Sequence, residues 1–350
     1  MTINSVSDEL ADLQARLVTA VRVATGLPGL DLRGRLAEIR GGYYAKTYGL
    51  AFDGAPPELD RPLILRVMPD GHHAAHEIAI QRSVAQQGYP APTVHLADAT
   101  DATLGRPFIL MDRAEGQPLL ANLDLRRALA TLPRILGALP GILAERLATL
   151  HHLDPEPTRQ ALAAAGTLDQ VDGTATLLSQ LTNSPGVPHV TGLQDAVDWL
   201  HANEQPAKRT VVCHGDLHPL NLLAVGTNVT AVIDWTGARL ADPAYDVACT
   251  AVLLAQAPLA APAAVQPALR AIGRSLARRF VKQYRRRGDL DDDQLRWYEA
   301  WQCTRILAEV ANWRFAEHTA QGHPFETSAD GIRHQLERVT GIDVILPPAR

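Results

Sequence analysis

Leu10, Leu13, Leu17 and Val21 recur at helical intervals, and Ser5 with Asp8 has the spacing of a capping box, so the chain is predicted to open with a packed helix. From Leu36 the pattern shortens to runs with strand character at 36–40, 47–52 and 63–67, separated by Gly41-Gly42 and by Pro56-Pro57. These read as three antiparallel strands. Residues 72–87 carry Ala75, Ile78, Ile80 and Val84 ahead of Gly88, the pattern of a helix with its C-terminal cap. Two more strands are expected at 93–96 and 107–111. Beyond Gly116 the spacing turns helical at 142–153, 191–202, 246–254, 265–287 and 292–319. One interruption stands out: 222–233 reads as two short strands around Gly226-Thr227-Asn228, a hairpin composition. The expected fold class is α+β, with a small sheet-rich lobe over 1–115 and a larger helical lobe over 116–350.

Composition narrows the function classes. Hydrophobic residues make up 46% and charged residues 20% of 350, the profile of a folded globular protein, and a formal net charge of -5 offers no basic surface for nucleic acid. Cys213, Cys249 and Cys303 are far apart and odd in number, with no C-x-x-C pair, which fits a reducing cytoplasmic compartment. Asp8 and Glu9 stand where a signal peptide is basic, and no apolar run reaches about 18 residues, so neither export nor a membrane span is expected.

The chemistry concentrates in two stretches between apolar runs: His214-Gly215-Asp216-Leu217-His218-Pro219-Leu220-Asn221 and Ile233-Asp234-Trp235. Asn221 and Asp234 are nearly equidistant from the turn at Thr227-Asn228. Closing that hairpin brings its open ends together, with strands roughly 5 Å apart, and turns an amide oxygen and a carboxylate toward one space. Magnesium takes such oxygen donors, one or two from protein and the rest from water and phosphates. Asp216 precedes Asn221 by five residues on a loop that Pro219 keeps from becoming helical, within reach of an attacking hydroxyl. A base, two metal ligands and a phosphate clamp are what phosphoryl transfer asks of a protein.

At these residues the chain resembles the aminoglycoside phosphotransferase and choline kinase family, whose two-lobed fold is similar to that of protein kinases. The family pattern is His-x-Asp, four residues, Asn, and after a hairpin Ile-Asp-Trp or Ile-Asp-Phe; here these are His214, Asp216, Asn221 and Ile233-Asp234-Trp235. The resemblance implies Asp216 as catalytic base, Asn221 and Asp234 as magnesium ligands, and His218 near the transferred phosphate. It implies a nucleotide loop at Gly41 and Gly42, and a phosphate contact from Arg66 in place of the commoner lysine, paired with Glu77. It also implies a hinge over 111–116, with Met111 behind the adenine and the backbone of Asp112 and Ala114 at its edge. His214, Asp242 and Asp246 are expected to support the loop, Asp246 through its backbone.

The substrates implied are ATP, with GTP not excluded, and a small hydroxyl acceptor that is aminoglycoside-, macrolide-, amino-sugar- or choline-like. Trp297, Trp301, Glu309 and Trp313 fall where the family builds its acceptor pocket, although tryptophans at helical spacing are more often core and Asp291–Asp293 more often caps a helix. The alternative function is a nucleotide-binding pseudokinase or regulatory module, favoured by Arg66 and opposed by the complete Asp216, Asn221 and Asp234 set. A protein kinase is disfavoured by Gly215 after His214, by Trp235, and by the lack of an Ala-Pro-Glu segment.

Overall fold

The short apolar runs of the N-terminal part pair into one antiparallel sheet in the computed structural model, which describes residues 3–39, 45–120, 125–257, 263–315 and 324–347. In chain order the main elements are α1 (Ile3–Thr25), β1 (Ala37–Ile39), β2 (Lys46–Leu50), β3 (Leu63–Val67), α2 (Gly71–Gln86), β4 (Val94–Asp98), β5 (Phe108–Asp112), α3 (Leu125–His151), α4 (Pro155–Ala164), α5 (Thr174–Thr182) and α6 (Leu193–Ala202). They continue as β6 (Val211–Cys213), β7 (Leu222–Val225), β8 (Asn228–Val232), β9 (Arg239–Ala241), α7 (Pro243–Ala255), α8 (Gln266–Tyr284), α9 (Asp292–Phe315) and α10 (Ala329–Thr340). Gly41 and Gly42 lie outside the described residues.

The chain divides into two compact units. The first takes Met1–Gln117, Glu156–Leu168 and Leu223–Thr236. Its sheet has the order β1-β2-β3-β5-β4, in which Arg66 on β3 sits opposite Thr47 on one side and Ile109 on the other. Leu17 and Val21 of α1 pack with Tyr48, Leu50, Leu63, Leu65, Phe108 and Leu110 into its core. α1 begins at Ile3, so Ser5 lies inside the helix and the expected capping box is not its start. α2 is capped as sequence chemistry favours: Asp70 accepts a hydrogen bond from the His73 N–H at 2.9 Å. The later segments join this unit through specific bonds. The Ser83 and Thr158 hydroxyls meet at 2.7 Å, and the Val232 N–H donates to the Pro90 carbonyl at 2.6 Å. Trp235, fully buried, stands edge-on to Tyr89 at 5.7 Å.

The second unit takes Pro118–Pro155, Asp169–Leu222 and Gly237–Arg350. It is a helical assembly in which α7, α9, α6 and α10 share one apolar core, with the antiparallel pair β6-β9 against it. α7 is almost wholly buried because its sequence, Pro-Ala-Tyr-Asp-Val-Ala-Cys-Thr-Ala-Val-Leu-Leu-Ala, is apolar on every face but for Asp246 and Thr250. α3 is much longer than the expected 142–153, running through Pro133 and Pro140. Those prolines obscured it in the sequence, since an interior proline normally stops a helix. α4, α5 and α10 were not anticipated either, being short or bounded by ambiguous turns. Among the described residues no helix is long and apolar enough to cross a membrane.

Candidate active site

In the second unit the loop after β6 is pinned from below. Asp246, in the first turn of α7 and fully buried, accepts the His214 N–H at 2.7 Å and the Gly215 N–H at 2.6 Å, the backbone brace implied by the family resemblance. Gly215 has φ +79, and a Cβ there would stand 2.1 Å from the Gly237 carbonyl oxygen, so only glycine permits this tight passage. The His214 ring is buried, and its Nδ1 lies 3.3 Å from the Asp216 N–H. His218 caps the following single turn by accepting the Leu220 N–H.

Asp216 emerges from this frame with its carboxylate 44% exposed. Asn221 is buried and donates its amide N–H to the Asp216 carbonyl at 2.9 Å and to the Asp216 carboxylate at 3.2 Å. With its nitrogen so engaged, the Asn221 Oδ1 is the atom left to face a cation. His218 Nε2 stands 3.4 Å from Asp216 Oδ2. Asp216, His218 and Asn221 thus form one contiguous polar group.

The first unit carries a second group assembled from three distant segments. Arg66 on β3 donates through Nη1 to Glu77 on α2 at 2.6 Å, and its Nη2 lies 3.5 Å from Asp234 Oδ1. Glu77 is fully buried, and that burial pushes its carboxyl above the ordinary carboxylate range, against the pull of Arg66 and with a further push from the negative charge of Asp234. Thr236 donates to Asp234 Oδ1 at 2.8 Å and to Glu77 Oε2 at 3.3 Å. Asp234 has φ +67, the left-handed conformation, which an aspartate tolerates better than most residues. Its carboxylate is 42% exposed despite its two partners. The sequence reading missed Thr236; its hydroxyl two residues after an aspartate was the available signal.

The start of the segment expected as the hinge is held within the first unit. The Gln81 side chain donates to the Pro92 carbonyl and touches the Met111 sulfur at 3.2 Å, fixing a methionine that is 6% exposed. The Asp112 N–H donates to the Thr93 carbonyl at 3.0 Å, and its carboxylate pairs with His95 at 2.8 Å. Ala114, two residues beyond, is partly buried. Hard oxygen donors are the chemistry magnesium selects, and the partly exposed Asp234 carboxylate of the first unit and the Asn221 Oδ1 of the second are each a donor of that kind.

The expected acceptor residues divide. Trp297 and Trp301 are 2% and 3% exposed, and their indole N–H groups donate to the Leu200 and Leu177 carbonyls. Both belong to the apolar core of the second unit, which corrects their assignment to a pocket; their helical spacing reflects packing. Glu309 is partly exposed and paired with Arg305, whose guanidinium lies 5.7 Å from the Trp301 ring centroid. Trp313 is half-buried near the end of α9. Asp291 has the capping role, accepting the Gln294 N–H at 3.0 Å.

Comparisons with known proteins bear on the family and the fold. A model of the phosphotransferase enzyme family, APH, matches residues 35–284. Among solved structures, a candidate aminoglycoside phosphotransferase from Ralstonia eutropha JMP134 superposes with a TM-score of 0.60 at 17% identity, covering 93% of this chain and 97% of that one. A thermostable mutant of aminoglycoside phosphotransferase APH(4)-Ia, in ternary complex with ADP and hygromycin B, gives 0.55 at 17% identity over 93% of this chain and 98% of its own. Macrolide 2'-phosphotransferase type I gives 0.54 at 18% identity over 96% and 98%. These likenesses establish the fold: a kinase-like antiparallel sheet followed by a mainly helical part. Acyl-CoA dehydrogenase family member 10 of Mus musculus is 27% identical over 202 residues, which is 54% of this chain but 18% of that protein, so the chain spans under a fifth of it. The family match extends from the first strand of the sheet through the catalytic-loop sequence to the end of α8, and on that span the chain belongs to the phosphotransferase enzyme family.

Proposed function

We propose that this family member transfers the γ-phosphoryl group of ATP to a hydroxyl of a small molecule, with Asp216 as general base. The observation that carries the reading is the state of Asp216: its backbone is fixed by Asn221 and by the Asp246 brace, while its carboxylate is left 44% exposed. A carboxylate so positioned accepts the proton as the acceptor O–H bond breaks, the acceptor oxygen bonds to the γ-phosphorus, and the bridging P–O bond to the β-phosphate breaks to release ADP.

The other residues divide the remaining work. Arg66 clamps phosphate oxygens, and Glu77 and Thr236 hold it and Asp234 in orientation. Met111 backs the adenine, whose edge meets the Asp112 carbonyl and the Ala114 amide, while Gly41 and Gly42 supply backbone N–H groups to the phosphates. His218 approaches the transferred group. Asn221 and Asp234 would hold magnesium, which when bound neutralises phosphate charge. Solved relatives in complex with ADP or AMP-PNP and hygromycin B support a nucleotide and a small hydroxyl compound as the two substrates, with aminoglycoside-, macrolide-, amino-sugar- and choline-like acceptors as the candidates.

The test is magnesium-dependent ATP consumption over a library of hydroxyl compounds, with Asp216→Ala as the blank. At least one compound is expected to stimulate the wild type and not the variant. Equal stimulation of both would remove Asp216 from the chemistry.

A further inference from the structure

Close to the loop that carries Asp216, the second unit buries a cation without a counter-ion. Arg239 opens β9 opposite Cys213 and is 4% exposed. Its guanidinium lies 5.4 Å from the centre of the Tyr245 ring, and its Nη1 is buried with no hydrogen-bond partner. Among the described residues it makes no ion pair. Asp242 accepts the Lys208 and Ala244 N–H groups, and Asp246 accepts those of His214 and Gly215, so both buried carboxylates are taken up by backbone. A guanidinium left in that state is costly unless an anion completes it.

The surroundings are short of acceptors, not of donors. Gln302, 1% exposed, accepts the Arg305 Nε–H at 3.0 Å and the Cys249 thiol at 3.5 Å through Oε1, and its Nε2 is a second buried donor without a partner. Because Arg305 can only donate, the amide orientation is fixed. Arg305 is partly exposed, lies 5.7 Å from the Trp301 ring centroid and pairs with Glu309. Tyr245 joins the two arginines, its ring centroid 5.5 Å from that of Trp301. Burial pushes the Cys249 thiol up; Arg305 and Arg239 pull it down, while Asp246 and Asp216 push it further, so both guanidiniums and the base act on one neighbourhood.

The same residues border the base. A Cβ on Gly237 would stand 3.8 Å from the Asp216 Cβ, and Arg239 follows two residues later. A Cβ on Gly215 would meet the Tyr245 hydroxyl at 2.9 Å. Two guanidiniums against one carboxylate, with an amide N–H to spare, make a donor-rich and net-positive surround. A carboxylate or phosphate offers only acceptor atoms and matches it, whereas an ammonium brings more donors and a like charge.

We propose that the acceptor is an anionic hydroxyl compound, its carboxylate or phosphate group bound by Arg239 and Arg305 while its hydroxyl is presented to Asp216. The proposal rests on the reading of Asp216 as the base, and it places hydroxy acids and phosphorylated hydroxyl compounds ahead of amine-bearing acceptors. Arg305 is the exposed contact and Arg239 the buried one.

The experiment uses the full chain as wild type, Arg239→Met, Arg305→Met and Asp216→Asn. Thermal melting is followed with magnesium and AMP-PNP present throughout, and with phosphate, acetate or choline added at matched ionic strength. Phosphate or acetate is expected to raise the melting temperature of wild type and of Asp216→Asn, and choline is not; the anion giving the larger rise tells a phosphorylated acceptor from a carboxylic one. Arg239→Met is expected to lose that rise and, without added anion, to melt at or above wild type, since an unpaired buried cation gives way to an apolar chain. Turnover is compared on one carbon frame with glycerate, glycerol 3-phosphate, glycerol and 3-amino-1,2-propanediol. An anionic member is expected to be preferred, with its KM raised about tenfold or more in both arginine variants, the loss of a charge-assisted hydrogen bond, and the KM for ATP changed less than about twofold. If none of these compounds is turned over, the melting comparison decides.

No anion-induced rise in wild type, or an equal rise in Arg239→Met, would overturn the proposal, as would a preference for glycerol or the amine. An Arg239→Met variant that melts well below wild type and keeps the anion response would make Arg239 a packing residue alone. Should Arg239→Met fail to fold, Arg305→Met with an undiminished anion response is the contrary result. Asp216→Asn separates the two claims: wild-type turnover there defeats the base assignment, while its anion response still tests the arginines.

Discussion

The two units present their polar groups by opposite means. In the second, Asp216 is carried by a contiguous stretch, 214–221, whose backbone is gripped by one buried carboxylate, and the fixing bonds are backbone N–H groups. In the first, Arg66, Glu77, Asp234 and Thr236 come from three separate segments and hold one another through side chains, by two ion pairs and the hydrogen bonds of the Thr236 hydroxyl. The contrast suits different tasks. On the proposed function, the base needs one carboxylate aimed and left accessible, whereas the phosphate clamp needs a fixed positive charge that a polyanion can engage. Breaking the loop should therefore damage turnover, and breaking the ion-pair group should damage nucleotide binding.

The largest expected effect is at Asp216. Asp216→Asn should lose roughly 100-fold or more in turnover, the usual size of a general-base contribution, and this is read in steady-state assays once an acceptor is found. Next is Arg66. Arg66→Ala should raise the KM for ATP about tenfold to 150-fold, the loss of one charge-assisted hydrogen bond, and Arg66→Lys should recover part of it because a single ammonium cannot serve Glu77 and phosphate as a planar fork does. An ATP titration of both variants at fixed magnesium checks this. An unchanged KM would detach the buried ion pair from the nucleotide.

Much of this was legible in the sequence, for a physical reason. Residues 214–221 and 233–235 lie close in the chain, so spacing alone constrains where they can go. The Arg66–Glu77 pair was legible through the family resemblance, and the ion pair between them is present. Thr236 was not, since it works through a partner that only folding identifies, 159 residues away for Glu77. For Trp297 and Trp301 the sequence left a core role beside the acceptor one, because helical spacing of large side chains serves a core as well as a pocket, and both are buried in the core. The nucleotide loop at Gly41-Gly42 lies outside the described residues. α3 was truncated in the reading because Pro133 and Pro140 look like stops.

Smaller effects sharpen the contrast. Glu77 has its carboxyl raised by burial, so the unfolded chain gives up this proton first as pH rises from about 4.5. The stability it contributes is complete below that value and is lost as pH climbs through the folded pKa. Glu77→Gln should remove this downward slope, seen by urea unfolding of both proteins across pH 4 to 8, in units of the familiar ~1.4 kcal/mol per pKa unit. A difference curve flat with pH would mean that Glu77 binds its proton equally in the folded and unfolded states. Least of all, Thr236→Val, which removes an uncharged donor to the Asp234 carboxylate, should appear as a several-fold weaker nucleotide affinity with turnover retained.

Nucleotide affinity can be measured without knowing the acceptor, and it separates the two regions most directly. Calorimetric titration of wild type, Asp216→Asn and Arg66→Ala with magnesium and AMP-PNP should give a Kd for Asp216→Asn within about threefold of wild type and one for Arg66→Ala weaker by about tenfold or more. A severe loss of affinity in Asp216→Asn together with wild-type binding by Arg66→Ala would contradict the division of labour on which the account rests.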